Sequence, residues 1–523
     1  MKMRISRWIM VGMAIAGLSM VAGPVTANNV VVTNTTFKVP NDGKIPVQFD
    51  LAWDNSWRSG VNYDACWVFV KYSTNSGATW SHATLGASGT NPVGFTSGSG
   101  TNLEIVVPAD KTGAFIQRSG DGVGTVANAG VRLVWDFATN GISKYQNARV
   151  KVFAVEMVYV AAGPFYLGSG GNESGHFYQY TDGVQTTNPY PVSAESAILV
   201  GAAGGNLYYI NVGGSVGDGI GPIPAAFPKG YVAFYLIKTE ISQRQYCDFL
   251  NTLTYVQQTN RHDIALHFTS DRNFIKKTSG SPAFFGCDAN NNAGGATAAS
   301  AALMNETNDG EWVACNYLSW MDGAAYTDWA ALRPMTELEF EKACRGPLAA
   351  VANEYPWGNT TLEAPATSSL NNQYTASEAP NRGNCNYGDC LPDGLYRVGS
   401  YADASSSRWN AGAGYYGALD LSGSIWESLV TVGNGTGRGF TGTHGDGSLS
   451  VSGNADTATW PGLSGGEVIG ATGSGWRGGN WSRPGNYAPV SFRYYAAYGF
   501  TQRRDTDSGY VLGGTLRPAR SAP

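Results

Sequence analysis

Charge is scarce in this chain. Asp, Glu, Lys and Arg make up 14% of its 523 residues, against about 25% in ordinary globular proteins. No run of like charges forms a tail. The net charge of −5 denies the chain the basic field that a nucleic-acid partner requires. Histidine is scarce too, with five in all, and cysteine is limited to seven residues, the last of them Cys390. Beyond the N-terminus no apolar run approaches the ~20 residues of a membrane span. These shortages argue against nucleic acid as a partner, against a membrane span and against any chemistry that needs a dense set of histidines.

What the chain does have is glycine and aromatics: 69 Gly, 28 Tyr and 15 Trp. That composition is neither disordered nor bundle-like. It reads as β-rich and loop-rich, with polarity supplied by Asn, Ser and Thr. The length exceeds what one core usually serves, so two or more domains are expected. At the N-terminus, Lys2, Arg4 and Arg7 precede the apolar run Trp8 to Gly23, and Val25-Thr26-Ala27 suits signal-peptidase cleavage. Residues 1–27 therefore read as a signal peptide, and the mature protein is expected to be secreted or held at the cell surface. Export permits disulfides; Cys385 and Cys390, close together in a Gly/Asn loop, are the expected pair. Cys247 and Cys344 lie in helical patterns and read as buried small hydrophobes.

Residues 28–153 carry short β-branched and aromatic runs separated by Gly/Asn/Ser clusters. Val47, Phe49, Leu51 and Trp53 alternate with polar or small residues, as a half-buried strand should. A β-sandwich is the natural closure. From 154 to 523 the pattern changes. Ser242 can cap a helix that carries Tyr246, Phe249 and Leu250 on one face. Ser319 with Asp322, and Thr336 with Glu339, form capping-box signatures for two more. Gly163-Pro164 marks a turn between two apolar runs.

Several runs in this second region carry a family resemblance. They are Leu332-Arg-Pro-Met-Thr-Glu-Leu-Glu-Phe-Glu-Lys-Ala-Cys-Arg-Gly346, Tyr355-Pro-Trp-Gly-Asn359 and Gly475-Trp-Arg-Gly-Gly-Asn-Trp-Ser-Arg483, joined in the same order by Met157 to Ser169 and Phe234 to Asn251. Together they resemble the sulfatase-modifying-factor family, that of the formylglycine-generating enzymes. The resemblance implies an α+β chain: an N-terminal all-β sandwich followed by a C-type-lectin-like domain rich in irregular structure. Insertions are expected near 170–228 and 255–310. The run Met157 to Ser169 resembles the family's opening strand pair, with Gly163-Pro164 making the turn.

The family's enzymes bind copper through two cysteines near the C-terminus and oxidise a substrate cysteine to formylglycine. Soft thiolates suit Cu(I). Here the matching region, Trp476 to Arg520, contains no cysteine, so copper is not expected. Iron through histidine is not expected either: His262 and His267 are spaced i, i+5 in an insertion, off a common helical face. The resemblance implies a structural calcium ion as the cofactor instead, since hard cations take oxygen ligands. Asn386 and the Tyr387 carbonyl, in a loop similar to the family's Asn-Tyr-Gly loop, and Glu427, in Leu421-Ser-Gly-Ser-Ile-Trp-Glu427, are its candidate ligands. Gly-x-Ser-x-Gly matches at 213–217 and 462–466 lack the strand-to-helix setting of a nucleophile elbow.

What remains is a surface. Trp481, Arg483, Tyr487, Arg493, Tyr494, Tyr495 and Tyr498 are the candidate ligand-binding residues, because Tyr, Trp and Arg dominate binding hot spots. Trp476 and Phe492 are the candidates for core filling. The function expected is a secreted, non-oxidising protein that binds an extracellular protein, peptide or glycan through an aromatic and Arg-rich C-terminal groove. Three alternatives stay open: an oxidoreductase of the family with a relocated metal site, a variable ligand-binding protein of a diversity-generating retroelement, and a self-assembling subunit of an extracellular structure.

Overall fold

In the strand Lys44–Ser59, Ile45, Val47, Phe49, Leu51 and Trp53 are all buried while their neighbours look outward. This period of two builds one face of a β-sandwich. The computed structural model describes residues 30–181, 187–210, 215–263, 271–363, 370–388, 390–503 and 514–523. The expected signal peptide, His267, Asp389, Arg504 and Tyr510 lie outside them.

One sheet of the sandwich holds Val31–Phe37, Lys44–Ser59 and Gly122–Asp136. The other holds Leu103–Val107, Ala114–Arg118, Asn62–Ser73 and Arg149–Val160, paired in that order. Between them lies an apolar core that includes Val47, Phe49, Trp53, Val68, Val70 and Ile116. Where the strand Lys44–Ser59 bulges near Asn55, buried Asp64 gathers the loose donors: Trp53 Nε1 at 2.9 Å, Ser56 Oγ at 2.8 Å and Trp57 N at 3.1 Å. Trp53, Ser56 and Trp57 are thus held together by Asp64 as part of the fold.

The strand Arg149–Val160 crosses residues 153 and 154 without a break. Its whole length up to Val158 pairs with Asn62–Ser73 of the sandwich. Its last four residues pair with Phe234–Ile237, which pairs in turn with the C-terminal strand Pro518–Ser521. One sheet therefore runs from the sandwich into the second region. Gly163-Pro164 is followed by a strand, Phe165–Leu167, but that strand pairs with Tyr190–Val192. The two runs flanking this turn are not partners of each other, contrary to the expected strand pair, because at the end of the bridging strand Met157 and Val158 already have Asn62–Ser73 on one side and Phe234–Ile237 on the other.

All three capping signatures form. Ser242, Thr336 and Ser319 each accept the third helical N–H, and Gln245, Glu339 and Asp322 bond back to the cap backbone. The helices Gln243–Leu250 and Trp320–Trp329 lie against one face of the bridging sheet. Tyr246, Phe249, Leu250 and Trp329 pack there with Trp67, Phe69 and Met157. Trp67 Nε1 donates to Ala330 O at 2.8 Å, and Phe69 meets Trp329 edge-on at 5.1 Å. The result is an α+β fold dominated by sheet. No helix among the described residues is long and apolar enough to cross a membrane.

Candidate functional site

The helix Glu337–Arg345 is acidic at its start and basic at its end, as the helix dipole favours, and every residue of it is buried. Its charges are matched inside the protein. Glu337 meets Arg477 at 3.2 Å and Arg493 at 2.9 Å; Glu341 meets Arg477 at 2.7 Å; Glu339 meets Arg333 at 2.6 Å; Arg345 reaches Glu354. Attraction from Arg477 and Arg345 outweighs burial and holds the Glu341 carboxyl below its usual range. Buried charges are tolerated only when paired in this way. The helix is a frame that fixes two C-terminal arginines.

On this frame sits a small sheet. Trp426–Val430 pairs antiparallel with Ser474–Arg477 and parallel with Gly514–Leu516. Trp426 and Trp476 stack with centroids 5.9 Å apart and planes 11° apart. Ser428, opposite Trp476 in register, accepts its indole N–H at 3.1 Å. A small polar residue at 428 thus completes the tryptophan. Gly475 is required by close approach: a Cβ there would lie 1.8 Å from Ala496 O. That contact brings the turn Arg493–Tyr498 down onto the tryptophans, and Trp476 N bonds Tyr495 O at 2.9 Å.

The turn carries the aromatic face. Tyr495 stands edge-on to Trp426 at 5.4 Å, Tyr498 meets Trp476 at 5.3 Å, and Tyr494 meets Tyr495 at 4.9 Å. Tyr487 packs on Phe492 at 4.8 Å. The two tryptophans and Phe492 and Phe500 are buried, whereas Tyr487, Tyr494, Tyr495 and Tyr498 are half-buried. The structure therefore brings four of the candidate ligand-binding residues together at one surface. Burial raises the Tyr495 hydroxyl above its ordinary range, so that ring presents a neutral phenol.

The other three candidates go elsewhere. Arg493 is 0% exposed, pairs with Glu337 and donates to Gly175 O at 2.9 Å. Its guanidinium lies 3.8 Å over Phe177 and 4.4 Å from the Tyr209 ring centre. It anchors the turn from beneath and offers no surface. Trp481 packs among Val313, Ala314, Leu395, Val398 and Ile425 as a core residue. Arg483 is buried at the rim, with its guanidinium 5.4 Å from the Tyr487 ring centre. Sequence reasoning missed Ser215, which accepts from Ala497 N at 2.7 Å and donates its own N–H to Tyr494 O at 2.9 Å. The 170–228 stretch thus braces the turn, and its Phe177 and Tyr209 wall in Arg493.

Of the metal candidates, Glu427 and Asn386 are engaged by partners within the protein. Glu427 is 0% exposed and one oxygen takes two Arg517 nitrogens, at 2.7 and 2.5 Å. Asn386 Oδ1 accepts the Cys390 thiol, and its backbone oxygen accepts Ser424 N at 2.8 Å. The Tyr387 ring lies beside Gly485, at the edge of the aromatic turn. A divalent cation next to the Arg517 guanidinium would be repelled, so this donor set does not fit calcium as it stands. Cys385 and Cys390 form no disulfide, contrary to expectation. Their sulfurs turn to different acceptors, Cys385 to Ser422 O at 3.0 Å and Cys390 to Asn386. All seven cysteines are buried. Burial pushes the thiols of Cys66, Cys287, Cys315, Cys344 and Cys385 up, away from the thiolate that nucleophilic or copper chemistry needs.

The model of the sulfatase-modifying factor enzyme 1-like domain matches residues 145–498, about two thirds of the chain. The chain belongs to this family. No curated protein matches it. The family match begins just before the bridging strand and ends at Tyr498, so it takes in the acidic helix, both buried arginines and all four surface tyrosines. Within the sulfatase-modifying-factor fold, the aromatic face occupies the C-terminal segment, where this chain has no cysteine.

Proposed function

We propose that this protein is an exported, non-oxidising member of the sulfatase-modifying-factor family that binds an extracellular glycan, peptide or surface protein. Tyr487, Tyr494, Tyr495 and Tyr498 form the contact face. The observation that carries the reading is the arrangement of these four half-exposed rings on a buried Trp426–Trp476 stack. Aromatic rings offer large contact area at low cost in side-chain entropy, and their hydroxyls add directed polar contacts. The buried ion pairs below hold the face in place before any ligand arrives, which lowers the ordering cost of binding. No thiol stands in the segment, and burial holds those of Cys66, Cys287, Cys315, Cys344 and Cys385 toward the protonated form.

The test is a binding screen of the purified protein against glycans and surface proteins, repeated with Tyr494→Ala/Tyr495→Ala. Loss of two central hot-spot rings is expected to weaken binding by roughly thirtyfold or more, about 2 kcal/mol. A hit whose affinity is the same in the double variant sinks the assignment of the face. Metal analysis separates this reading from a relocated oxidase: stoichiometric copper or iron would favour the oxidase.

A further inference from the structure

The bridging strand Arg149–Val160 has one edge that is only partly used. Residues Arg149 to Val158 pair with Asn62–Ser73 on one side, but on the other Phe234–Ile237 covers only Met157 to Val160. The next bond along, Lys238 N to Glu156 O at 3.0 Å, shows which way the alternate backbone groups point. In an antiparallel ladder successive residues turn to opposite sides. Glu156 therefore shares its direction with Ala154, Val152 and Val150. Val70 O agrees: opposite Val152 in register, it accepts from Ala83 N and not from Val152. Among the described residues no hydrogen bond reaches the backbone N–H or C=O of Val150, Val152 or Ala154.

These groups face a groove of about 510 Å³ between Val30–Val32 on one wall and the helix Gln243–Leu250 on the other. Its floor is apolar and half-buried at Val150, Val152 and Ala154. Its charged side chains are already engaged: Arg244 meets Asp248 at 3.2 Å and Glu311 at 3.3 Å, Lys238 Nζ meets Glu156 at 2.6 Å, and Lys151 Nζ donates to Asn251 O at 3.3 Å and lies 4.7 Å from the Trp80 ring centre. Nothing in the wall calls for a charged occupant. The spacing of the free donors and acceptors, every second residue, is that of an extended backbone and of no helix.

We infer that this edge is a docking site for an extended, uncharged peptide segment of a partner protein, about five to seven residues long, that adds as a strand beside Val150–Ala154. Its backbone would satisfy the three free pairs, and its alternate side chains, small and apolar, would cover Val152 and the Val30–Val32 wall. The site is separate from the aromatic face, and its test does not depend on that reading.

The experiment uses the whole protein and end-blocked synthetic heptapeptides of alternating Thr with Val, Ile or Ala. Binding is read by calorimetry. At least one peptide is expected to bind, and its analogue N-methylated at alternate residues is expected to bind at least tenfold more weakly, because methylation removes only the backbone donors. Val152→Pro, which deletes an N–H that the sandwich does not use, is expected to give the same loss with an unchanged melting temperature. Should that variant not fold, the N-methyl comparison on the native protein still decides. Equal affinity for the methylated peptide, or binding by none of the series, overturns the proposal. So does light scattering that shows the native protein as a dimer and Val152→Lys as a monomer, which would give the edge to a second copy.

Discussion

Arg493 lies in sequence between Phe492 and Tyr494, yet its guanidinium turns inward onto Glu337, 156 residues away. Nothing local in Ser-Phe-Arg-Tyr-Tyr announces this, since the acid that claims it lies in the distant helix Glu337–Arg345. The same holds for Arg477, whose partners Glu337 and Glu341 are 140 and 136 residues off. Residue type alone made Arg493 look like a hot spot, and long-range charge pairing made both arginines a frame. Arg493→Ala strands part of the Glu337 charge and opens space between Phe177 and Tyr209. The expected cost is about 3–5 kcal/mol, read by urea denaturation, and Arg493→Lys should recover little of it because the forked geometry is lost. A cost below about 1 kcal/mol would show that Arg493 is not the anchor described above.

At the scale of elements, the helix starts were legible because capping is local: Ser242, Ser319 and Thr336 each find their partner three residues on. The sandwich strands were legible through their alternation. Partner choice between strands was not, because periodicity says which face is buried and not which strand lies alongside. The same limit applies to the loop 445–457, which fastens to the end of the helix Trp320–Trp329. Asp328 there accepts Asp446 N and Asp456 N, both at 3.1 Å, and Thr457 Oγ1 at 3.0 Å. Burial, with nearby Asp446 and Asp456, pushes its carboxyl up to about 7. The folded state then holds a proton that the unfolded chain has released above pH ~4. Stability from this group is full below pH ~4 and is lost as pH rises through about 7. Glu156, pushed up to about 8, and Glu311, pushed up to about 7, act in the same sense. From about pH 6.5 to 7.5 these groups should make the protein less stable as pH rises; below that range the imidazoles of His82 and His444, held low by burial, act in the opposite sense. Asp328→Asn should flatten that slope, with at most roughly 1.4 kcal/mol per pH unit attributable to the group. Denaturation midpoints across pH 5–8 check this, and an unchanged slope in the variant would remove Asp328 as its source.

For the whole molecule the decisive element is the bridging strand, backed by ties between the sandwich and the family domain. Trp67 is 0% exposed, bonds Ala330 O, and lies beneath Arg520, whose guanidinium is 4.2 Å from its ring. Phe115 stacks on Tyr235 at 3.8 Å. Trp67→Ala should cost about 3–5 kcal/mol and shift one common unfolding transition seen by calorimetry. Two transitions, only one of them displaced, would mean that the halves unfold independently.

The shared strand also limits how such a protein can be inherited in pieces. Modules joined by a flexible linker can be traded between genes at almost any breakpoint in the linker. Here a crossover between residues 153 and 154 would divide a strand whose two ends serve different partners, so each recombinant would receive half a ladder. A front module can be exchanged only with a replacement that brings the same strand in the same register, or by a crossover outside Arg149–Val160. The pairing of sandwich and sulfatase-modifying-factor domain is therefore expected to pass between lineages as one heritable block.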